Sequence, residues 1–277
     1  MTVITKRIPL ELIKLDEDNV RFGNDVAESQ KEALHLLMED PTDAKKLLNL
    51  TRHISKNGLD PTELQLVFPS GTNSYTVIEG NRRLAALKLL VNPSLCPVDR
   101  LADKVASIAK DATYKVPKDI LVSIVETREQ GDLWVELKHT GENDGVGRVG
   151  WNSEIRDERR SRVTGEETVG RQLRKLIEKN QTVFSKEALL NSKTVAITNL
   201  TRLFQSAPAQ EFFQLVRRNR ILTPNCDLKY IAPSVEYTLK MMADKDFTVN
   251  TIKLIDDIRE FISKIPINIS PSAMLQN

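Results

Sequence analysis

The segment YTVIEGNRRLAALKLL places two arginines directly after a glycine, at a point where the sequence pattern changes. The first half is an apolar run typical of a β-strand, and the second half has the spacing of an amphipathic helix. Gly80, Asn81, Arg82 and Arg83 lie at this junction. The amino end of a helix offers unpaired backbone N–H groups and a positive dipole end, which together bind anions. Gly80 permits a positive φ and a close approach of the backbone to a ligand.

Arg82 and Arg83 fall in the first helical turn, where a cation opposes the helix dipole. Such a placement is understandable if an anion lies there, because two guanidinium groups beside several N–H donors suit a di- or triphosphate. The alternative is a turn glycine followed by two solvent-exposed arginines. One glycine and two arginines do not decide between these interpretations.

The elements around this turn predict a mixed α/β first half. Apolar runs with hairpin or turn residues beside them predict strands over residues 7–10, 64–69, 74–80 and 119–126. Helical spacing predicts helices over residues 29–39, 41–57, 82–90 and 94–114.

The second half of the chain is predicted to be all-helical. Helices are expected over residues 166–179, 186–190, 194–204, 209–216, 234–243 and 249–263. A glycine-rich loop precedes this half, so we place the domain boundary near Gly150. The predicted fold class is α+β, with a domain over residues 1–150, a helical domain over 151–265 and a loose tail over 266–277.

Composition excludes some classes of protein and leaves others open. Of the 277 residues, 40% are hydrophobic, which is enough to build a core. No apolar run approaches the roughly 20 residues of a membrane helix, and the first residues lack a signal-peptide core, so we predict a cytoplasmic protein. Cysteine and histidine do not cluster at the spacing of a zinc site. The net charge of +2 indicates no particular partner.

Local charge is more informative than net charge. Two basic clusters, RDERRSR at residues 156–162 and RRNR at residues 217–220, interrupt the second half. Each cluster is either a solvated helix face or a contact for nucleic acid, and the sequence does not choose between them.

Three ordered motifs over residues 8–90 resemble the N-terminal domain of the ParB/sulfiredoxin-like superfamily. The Gly-Glu-Arg-Arg box of that family corresponds to residues 80–83 here. IPLELIKLDEDNVRF is similar to its opening box, with Asn19 and Arg21 in the turn. LTRHISKNGLDPTELQLV is similar to its helix, turn and following strand, with Gly58 and Pro61 in place.

The resemblance implies a nucleoside triphosphate, CTP or ATP, bound with Mg²⁺. The loop HTGENDGVGR occupies the position of a family box whose Glu-Asn pair helps hold the metal, and here that pair is Glu142 and Asn143. The implied nucleotide-binding residues are Asn19, Arg21, Gly80, Asn81, Arg82, Arg83, His139, Thr140 and Gly141. Glu79 and Glu142 are the implied catalytic residues of a slow NTP hydrolysis that acts as a switch.

The chain also departs from the family pattern. Asn81 replaces the glutamate of the box, although Glu79 supplies a carboxylate one residue before the glycine. No cysteine lies between Glu79 and Arg83, so sulfiredoxin chemistry is disfavoured. No C-terminal dimerisation domain is recognisable, so we expect a plasmid, phage or defence type rather than a standard chromosome-partition protein.

KEALLNSKTVAITNLTRLF is similar to the ParB helix-turn-helix. Residues 192–194 would form the turn, and residues 194–204 the helix that presents polar side chains to base edges and phosphates. The alternative is an ordinary helical hairpin. The expected DNA-binding residues are Lys193, Thr198, Thr201 and Arg202, with phosphate contacts from Arg156, Arg159, Arg160 and Arg162.

The leading hypothesis is therefore a Mg²⁺-dependent, nucleotide-binding and DNA-binding protein. The expected partners are DNA, a nucleotide, a second copy of the chain in a homodimer, and an operon-encoded protein. A second hypothesis is a metal-dependent DNase that uses Glu79, His139, Glu142 and Asp144. A third is a non-catalytic scaffold, which Asn81 keeps open.

Overall fold

The computed structural model describes residues 3–23, 25–244 and 247–276. The chain divides into two compact units, Met1–Val149 and Gly150–Asn277. Within the described residues, no helix combines the length and the apolar character needed to cross a membrane.

The first unit is mixed α/β. Its strands are β1 Ile4–Pro9, β2 Ile13–Lys14, β3 Gln65–Gly71, β4 Ser74–Glu79 and β5 Asp119–Ile124. Its α-helices are α1 Gln30–Glu39, α2 Pro41–Asn57, α3 Asn81–Val91, α4 Asp99–Lys110 and α5 Arg128–His139. Short 3-10 turns are at Leu10–Leu12, Val20–Phe22, Pro93–Leu95 and Asn143–Gly145.

The five strands form one mixed sheet in the order β1-β5-β3-β4-β2. β3 and β4 are an antiparallel hairpin, β5 runs parallel to β3, and the short β2 runs parallel to β4. Because β4 lies beside β2, the turn that follows β2 and the start of α3 are brought to the same end of the sheet.

Alternating residues of the central strands face two different layers. Val67 and Val77 are fully buried against the helices of the main core, as period-2 alternation predicts. Leu66 and Ile78 point to the other face and form a smaller apolar cluster. Helix α5 approaches β4 closely there, since a Cβ on Gly131 would lie 2.0 Å from Ile78 Cδ1.

The second unit contains helices and one β-hairpin. Its helices are α6 Ser153–Thr164, α7 Val169–Lys179, α8 Lys186–Thr194, α9 Ile197–Phe204, α10 Ala207–Phe213, α11 Leu228–Ala243, α12 Ile255–Ser263 and α13 Pro271–Met274. Its strands are β6 Leu215–Arg218 and β7 Ile221–Pro224, and 3-10 turns are at Val249–Ile252 and Ile267–Ile269.

The hairpin corrects the prediction that this half is all-helical. The predicted helix over 209–216 ends at Phe213, and Gln214 has a left-handed backbone conformation that turns the chain into β6. Asn219 and Arg220 both have positive φ, +48° and +68°, which is the geometry of a tight two-residue hairpin turn. The RRNR cluster therefore lies at a hairpin tip and not on a helix face.

The end of the chain also differs from the expectation of a loose tail over 266–277. Ser270 and Pro271 are buried, and the Ser270 hydroxyl accepts the backbone N–H of Ala273 to cap α13. α13 packs against α10 and α11. Proline at the first helical position and serine at the cap are the local signals for this short helix. Asn277 lies outside the described residues.

Candidate anion-binding cavity

A cavity of about 690 Å³ opens in the first unit where β4 meets α3. It is bounded by the turn after β2, the end of α2, the junction itself and the end of α5. Its apolar wall consists of Val20, Leu50, Ile54, Leu59, Ile78 and Val135. Its charged lining consists of Arg21, Arg82, Arg83, Asp60, Glu63, Glu79 and Glu136, together with His53 and His139.

The strand-to-helix turn presents backbone donors to this cavity. Gly80 caps α3 with a left-handed backbone, φ +105° and ψ 18°, and supplies no side-chain cap. The first hydrogen bond of the helix runs from the N–H of Leu84 to the carbonyl of Gly80 at 2.9 Å. Among the described residues, no acceptor pairs with the N–H groups of residues 81–83. These amides are the free donors expected at an uncapped helix start.

Only glycine fits at position 80. A Cβ there would lie 2.7 Å from Gln65 Cγ and 3.1 Å from Arg83 Nη2. The positive φ adds backbone strain for any L side chain. Gln65 Nε2 and Arg83 Nε are buried beside this position without hydrogen-bond partners in the described structure.

Arg21 and Arg82 supply uncommitted positive charge at the cavity. No ion pair of the described structure involves either guanidinium. Both act on Asp43 of α2: a hydrogen bond from Lys46 is the main cause that lowers the pKa of Asp43, and the charges of Arg21 and Arg82 lower it further. Both residues line the same cavity.

Arg83 has a different role from its neighbour. Its Nη1 lies 2.9 Å from Glu63 Oε2, and its Nη2 lies 3.1 Å from Glu79 Oε1. These ion pairs engage the guanidinium within the protein. Arg83 orders the carboxylates at the base of the cavity, and its role in binding phosphate stays a prediction.

Glu63 is the centre of this ion-pair cluster. Lys138 and Arg148 also contact its carboxylate. Burial works to raise the pKa of Glu63, but hydrogen bonds from Lys138, Arg148 and Arg83 outweigh burial and lower the pKa from its ordinary value of 4.5 to about 2. Glu63 is consequently ionised at neutral pH.

Glu79 is contacted by two side chains at the end of α5. Lys138 Nζ lies 2.8 Å from Oε1, and His139 Nε2 lies 2.8 Å from Oε2. Burial acts to raise the pKa of Glu79, while the hydrogen bonds from His139 and Lys138 lower it by a larger amount. A carboxylate with a lowered pKa is a weak general base, so the arrangement fits orientation of His139 better than proton transfer by Glu79.

Asn81 faces the protein interior. Its Oδ1 accepts the backbone N–H of Asp16 at 2.9 Å, and its Nδ2 donates to the carbonyl of Val77 at 3.3 Å. An amide can make both bonds, whereas the carboxylate expected from the family box has no donor. The side chain of Asn81 therefore connects two backbone segments and is not free to bind a nucleotide, although the residue borders the cavity.

Asn19 places Arg21 at the cavity rim. It is buried, and its Oδ1 accepts the backbone N–H of Arg21 at 3.0 Å, which caps the 3-10 turn Val20–Phe22. The Asn-x-Arg spacing seen in the sequence is explained by this local cap.

The loop after α5 does not complete the site in the predicted way. Within the described residues, Thr140, Gly141, Glu142 and Asn143 are absent from the cavity lining. Asn143 Nδ2 donates to Thr140 Oγ1 at 2.8 Å, and the Glu142 side chain is exposed. Nowhere in the described structure do three His, Cys, Asp or Glu side chains come together as a metal site. The cluster of Glu79, His139, Glu142 and Asp144 that the nuclease hypothesis requires is not found among the described residues.

Several cavity residues were not predicted from the sequence. They are His53, Asp60, Glu63 and Glu136, and the ion-pair partners Lys138 and Arg148. Asp60 follows the Gly58 turn at the end of α2, and this turn was the available signal. Glu63, Lys138 and Arg148 are distant in sequence, so only the fold brings them together.

In the second unit, α8 and α9 are joined by Val195 and Ala196, not by the predicted turn at 192–194. Ser192 is buried within α8, where its hydroxyl donates to the carbonyl of Leu189 at 2.7 Å. Lys193, Thr198 and Arg202 are exposed, and their contact with DNA stays a prediction.

Thr201 is a correction to the predicted DNA-binding set. Its Oγ1 accepts the backbone N–H of Gly170 at 3.1 Å, so the side chain is directed at α7. A Cβ on Gly170 would lie only 2.6 Å from the carbonyl oxygen of Ile197, which shows how closely α7 and α9 pack.

The arginines of α6 are exposed, but all four already have partners within the second unit. Arg160 pairs with Asp157 at 3.3 Å, Arg162 pairs with Glu158 at 2.6 Å, and Arg159 lies over the Trp151 ring at 5.3 Å. Arg156 contacts the carbonyl of Asn152.

Comparison with known proteins gives a distant structural similarity. No family model matches the chain, and no curated protein matches it. Among solved structures, it is similar to the C-terminally truncated chromosome-partitioning protein ParB from Caulobacter crescentus complexed with CTP-γ-S. The identity is 12% and the TM-score is 0.31, over 92% of this chain and 99% of that chain. A similarity at this level does not establish what this chain binds.

Proposed function

We propose that the first unit binds the phosphate tail of a nucleoside triphosphate in the cavity at the β4–α3 junction, and that the second unit binds DNA. The observation that carries the nucleotide proposal is the set of free donors at the start of α3. The unpaired amides of residues 81–83 and the uncommitted guanidinium groups of Arg82 and Arg21 border one cavity. Such a combination stabilises a multiply charged anion.

The rest of the cavity suits a nucleoside. Its volume falls in the range of about 300–1,000 Å³ that is typical of small-molecule sites. Leu50, Ile54 and Leu59 offer an apolar wall for a base. Asp60 and Glu136 are exposed carboxylates that can accept hydrogen bonds from ribose hydroxyls or from an amino group on a base.

Mg²⁺ enters this proposal as the counter-ion of the phosphate tail. The cation usually keeps several waters and binds through phosphate oxygens with one or two carboxylates, so it does not require a cage of protein ligands. Asp60 and Glu136 are the cavity carboxylates without ion pairs in the described structure, and they fit that limited role. Glu142 and Asn143 would need the loop after α5 to move.

Slow NTP hydrolysis is proposed as the step that resets the bound state. The lowered pKa of Glu79 and its ion pairs make it a poor base, which agrees with a slow reaction. The nearby His139 is held at 2.8 Å from Glu79 and is the better candidate to receive a proton from water.

DNA binding is proposed for the face of α9 that carries Thr198 and Arg202, with Lys193 before it. The homodimer, the operon-encoded partner and the plasmid, phage or defence setting remain predictions from the sequence resemblance.

The proposal is tested by measuring separately how the protein binds a phosphate chain and how it binds a nucleoside. Thermal unfolding of the protein with tripolyphosphate, with a nucleoside, and with CTP or ATP distinguishes the two ends of the cavity. We expect stabilisation by tripolyphosphate, more by a nucleotide, and little by the nucleoside alone. No stabilisation by tripolyphosphate or by any nucleotide contradicts the proposal.

A further inference from the structure

The β6–β7 hairpin of the second unit is a compact basic feature that the predicted helix-turn-helix does not use. Residues 215–224, LVRRNRILTP, contain three arginines and no acidic residue. Arg217, Arg218 and Arg220 are all exposed at or beside the hairpin tip. Ile221 follows them with 62% of its surface exposed.

Much of this charge is available to a ligand. No ion pair of the described structure involves Arg217, and Arg218 Nη2 contacts only the neutral amide oxygen of Asn225, at 3.0 Å. Arg220 pairs with Glu166, and both side chains of that pair are more than half exposed. Surface pairs of this kind contribute little stability, so a phosphate can replace the carboxylate at small cost.

The hairpin is fixed to the body of the second unit. Gln172 of α7 donates from Nε2 to the carbonyl of Arg220 at 2.8 Å, and its Oε1 accepts the N–H of Leu222 at 2.6 Å. Leu215 and Leu222 are buried in the core of the unit. The backbone that carries the arginines is therefore held in place before binding, which lowers the backbone entropy lost on binding.

The hairpin tip and α9 border the same surface depression. Thr201 of α9 and Gln205, the residue after that helix, line it together with Arg217, Asn219 and Arg220 of the hairpin and with Glu166 and Glu167. Residues 198 and 202 share one face of α9 because they are four positions apart, and the exposed Gln205 follows directly after the helix. The exposed face of α9 is thus continuous with the hairpin tip.

Helix α6 carries less net charge than the hairpin. Its four arginines are accompanied by Glu154, Asp157 and Glu158 in the same helix, which gives a net charge of +1 from residues 153–164. The hairpin carries +3 over residues 215–224. Because counterion release scales with the number of phosphates neutralised, the hairpin is the stronger electrostatic contact.

We propose that the β6–β7 hairpin binds the phosphate backbone of a DNA duplex while the exposed face of α9 contacts a groove of the same duplex. This inference rests on the proposed DNA-binding function of the second unit and assigns it a second contact element. Arg217 and Arg218 bind phosphates without reading sequence.

The test uses the full chain and a fluorescently labelled duplex, with affinity measured by anisotropy over a range of salt concentrations. The variant Arg217→Ala/Arg218→Ala removes two cations from the hairpin. Arg217→Lys/Arg218→Lys keeps the charge. Lys253→Ala/Arg259→Ala removes two exposed cations, one before α12 and one within it that pairs with Asp256, and serves as the control of equal charge change. A thermal melt of each variant establishes that it is folded.

We expect the alanine variant to bind about tenfold or more weakly at moderate salt, and the slope of log affinity against log salt to fall by about 2. The lysine variant should restore most of both quantities, and the control should match the unchanged protein. Equal affinity and equal slope for the alanine variant would overturn the hairpin assignment alone. Absence of DNA binding by the unchanged protein would overturn the DNA-binding proposal and this inference together.

Discussion

Asn81 Oδ1 accepts the backbone N–H of Asp16 at 2.9 Å, so the first residue of α3 is tied to the turn that carries Asn19 and Arg21. Asp16 is itself buried, and its carboxylate pairs with Arg128 at the start of α5. Three segments that border the cavity are thus connected through two side chains. Asn81, which replaces the expected glutamate, therefore connects the start of α3 to the turn after β2.

Replacement of Asn81 by aspartate should destabilise the first unit. The variant Asn81→Asp loses the donor to Val77 and buries a second carboxylate near Asp16. We expect the free energy of unfolding to fall by about 2–4 kcal/mol. Urea unfolding followed by circular dichroism measures this loss. Asn49→Asp, on the exposed face of α2, is the control, and an equal effect of both variants would contradict the structural role of Asn81.

Glu63 should make stability depend on pH in the acid range. Its pKa is lowered from 4.5 to about 2 in the folded protein, so its contribution is present above pH 4.5 and is lost as the pH falls toward 2. Glu63→Gln should reduce stability at neutral pH by about 1–3 kcal/mol and flatten the decline between those two pH values. Unfolding measured at a series of pH values tests this expectation.

Glu11→Gln is the comparison for Glu63→Gln, because Glu11 is exposed and forms no ion pair in the described structure. Parallel pH profiles for the unchanged protein and Glu63→Gln would show that Glu63 does not supply the acid sensitivity.

Gly80→Ala should lower the free energy of unfolding by more than backbone strain alone would. Alanine at φ +105° is strained, and its Cβ would also meet Gln65 Cγ at 2.7 Å. Gly141 has a similar φ of +96°, and nothing lies within 4 Å of a Cβ built there. Gly141→Ala therefore measures the effect of backbone strain without a steric clash. We expect Gly80→Ala to destabilise the protein by about 2–4 kcal/mol and Gly141→Ala by about 1–2 kcal/mol. Equal losses would mean that the β4–α3 turn relaxes around the new methyl group.

Variants of Thr201 and Thr198 should distinguish a structural role from a DNA-binding role on α9. Thr201→Val removes the acceptor for the Gly170 N–H, and we expect a loss of about 1–2 kcal/mol in thermal or urea unfolding. Thr198→Val changes an exposed side chain and should leave stability unchanged while weakening DNA binding. A stability loss at Thr198 with none at Thr201 would reverse the assignment.

The sequence was sufficient to predict much of the first unit, because its signals are local. Ser29, Asp40 and Gly58 mark the ends of α1 and α2, and the hairpin turn between β3 and β4 sits between alternating apolar residues. The position of Gly80 at a strand-to-helix junction was predictable for the same reason.

The remaining features depend on residues that are distant in sequence. The partners of Glu63 come from α3, α5 and the segment after α5, and no local sequence pattern predicts these pairings. The sequence alone does not show that Arg83 pairs with Glu63 and Glu79, because only the fold places these carboxylates beside it. The β6–β7 hairpin was missed because LVRRNRIL lacks the glycine that usually marks a tight turn, and Asn219 and Arg220 adopt positive φ instead.

The measurement that tests the central claim most directly is calorimetric titration of CTP, ATP and GTP with Mg²⁺ into the unchanged protein and into Arg82→Ala. Arg52→Ala, an exposed arginine of α2 outside the cavity lining, is the matched control. We predict that at least one nucleotide binds, that Arg82→Ala weakens it about tenfold or more, and that Arg52→Ala does not. A nucleotide affinity unchanged in a normally folded Arg82→Ala, or no binding by the unchanged protein, would contradict the assignment of the β4–α3 junction as a phosphate site.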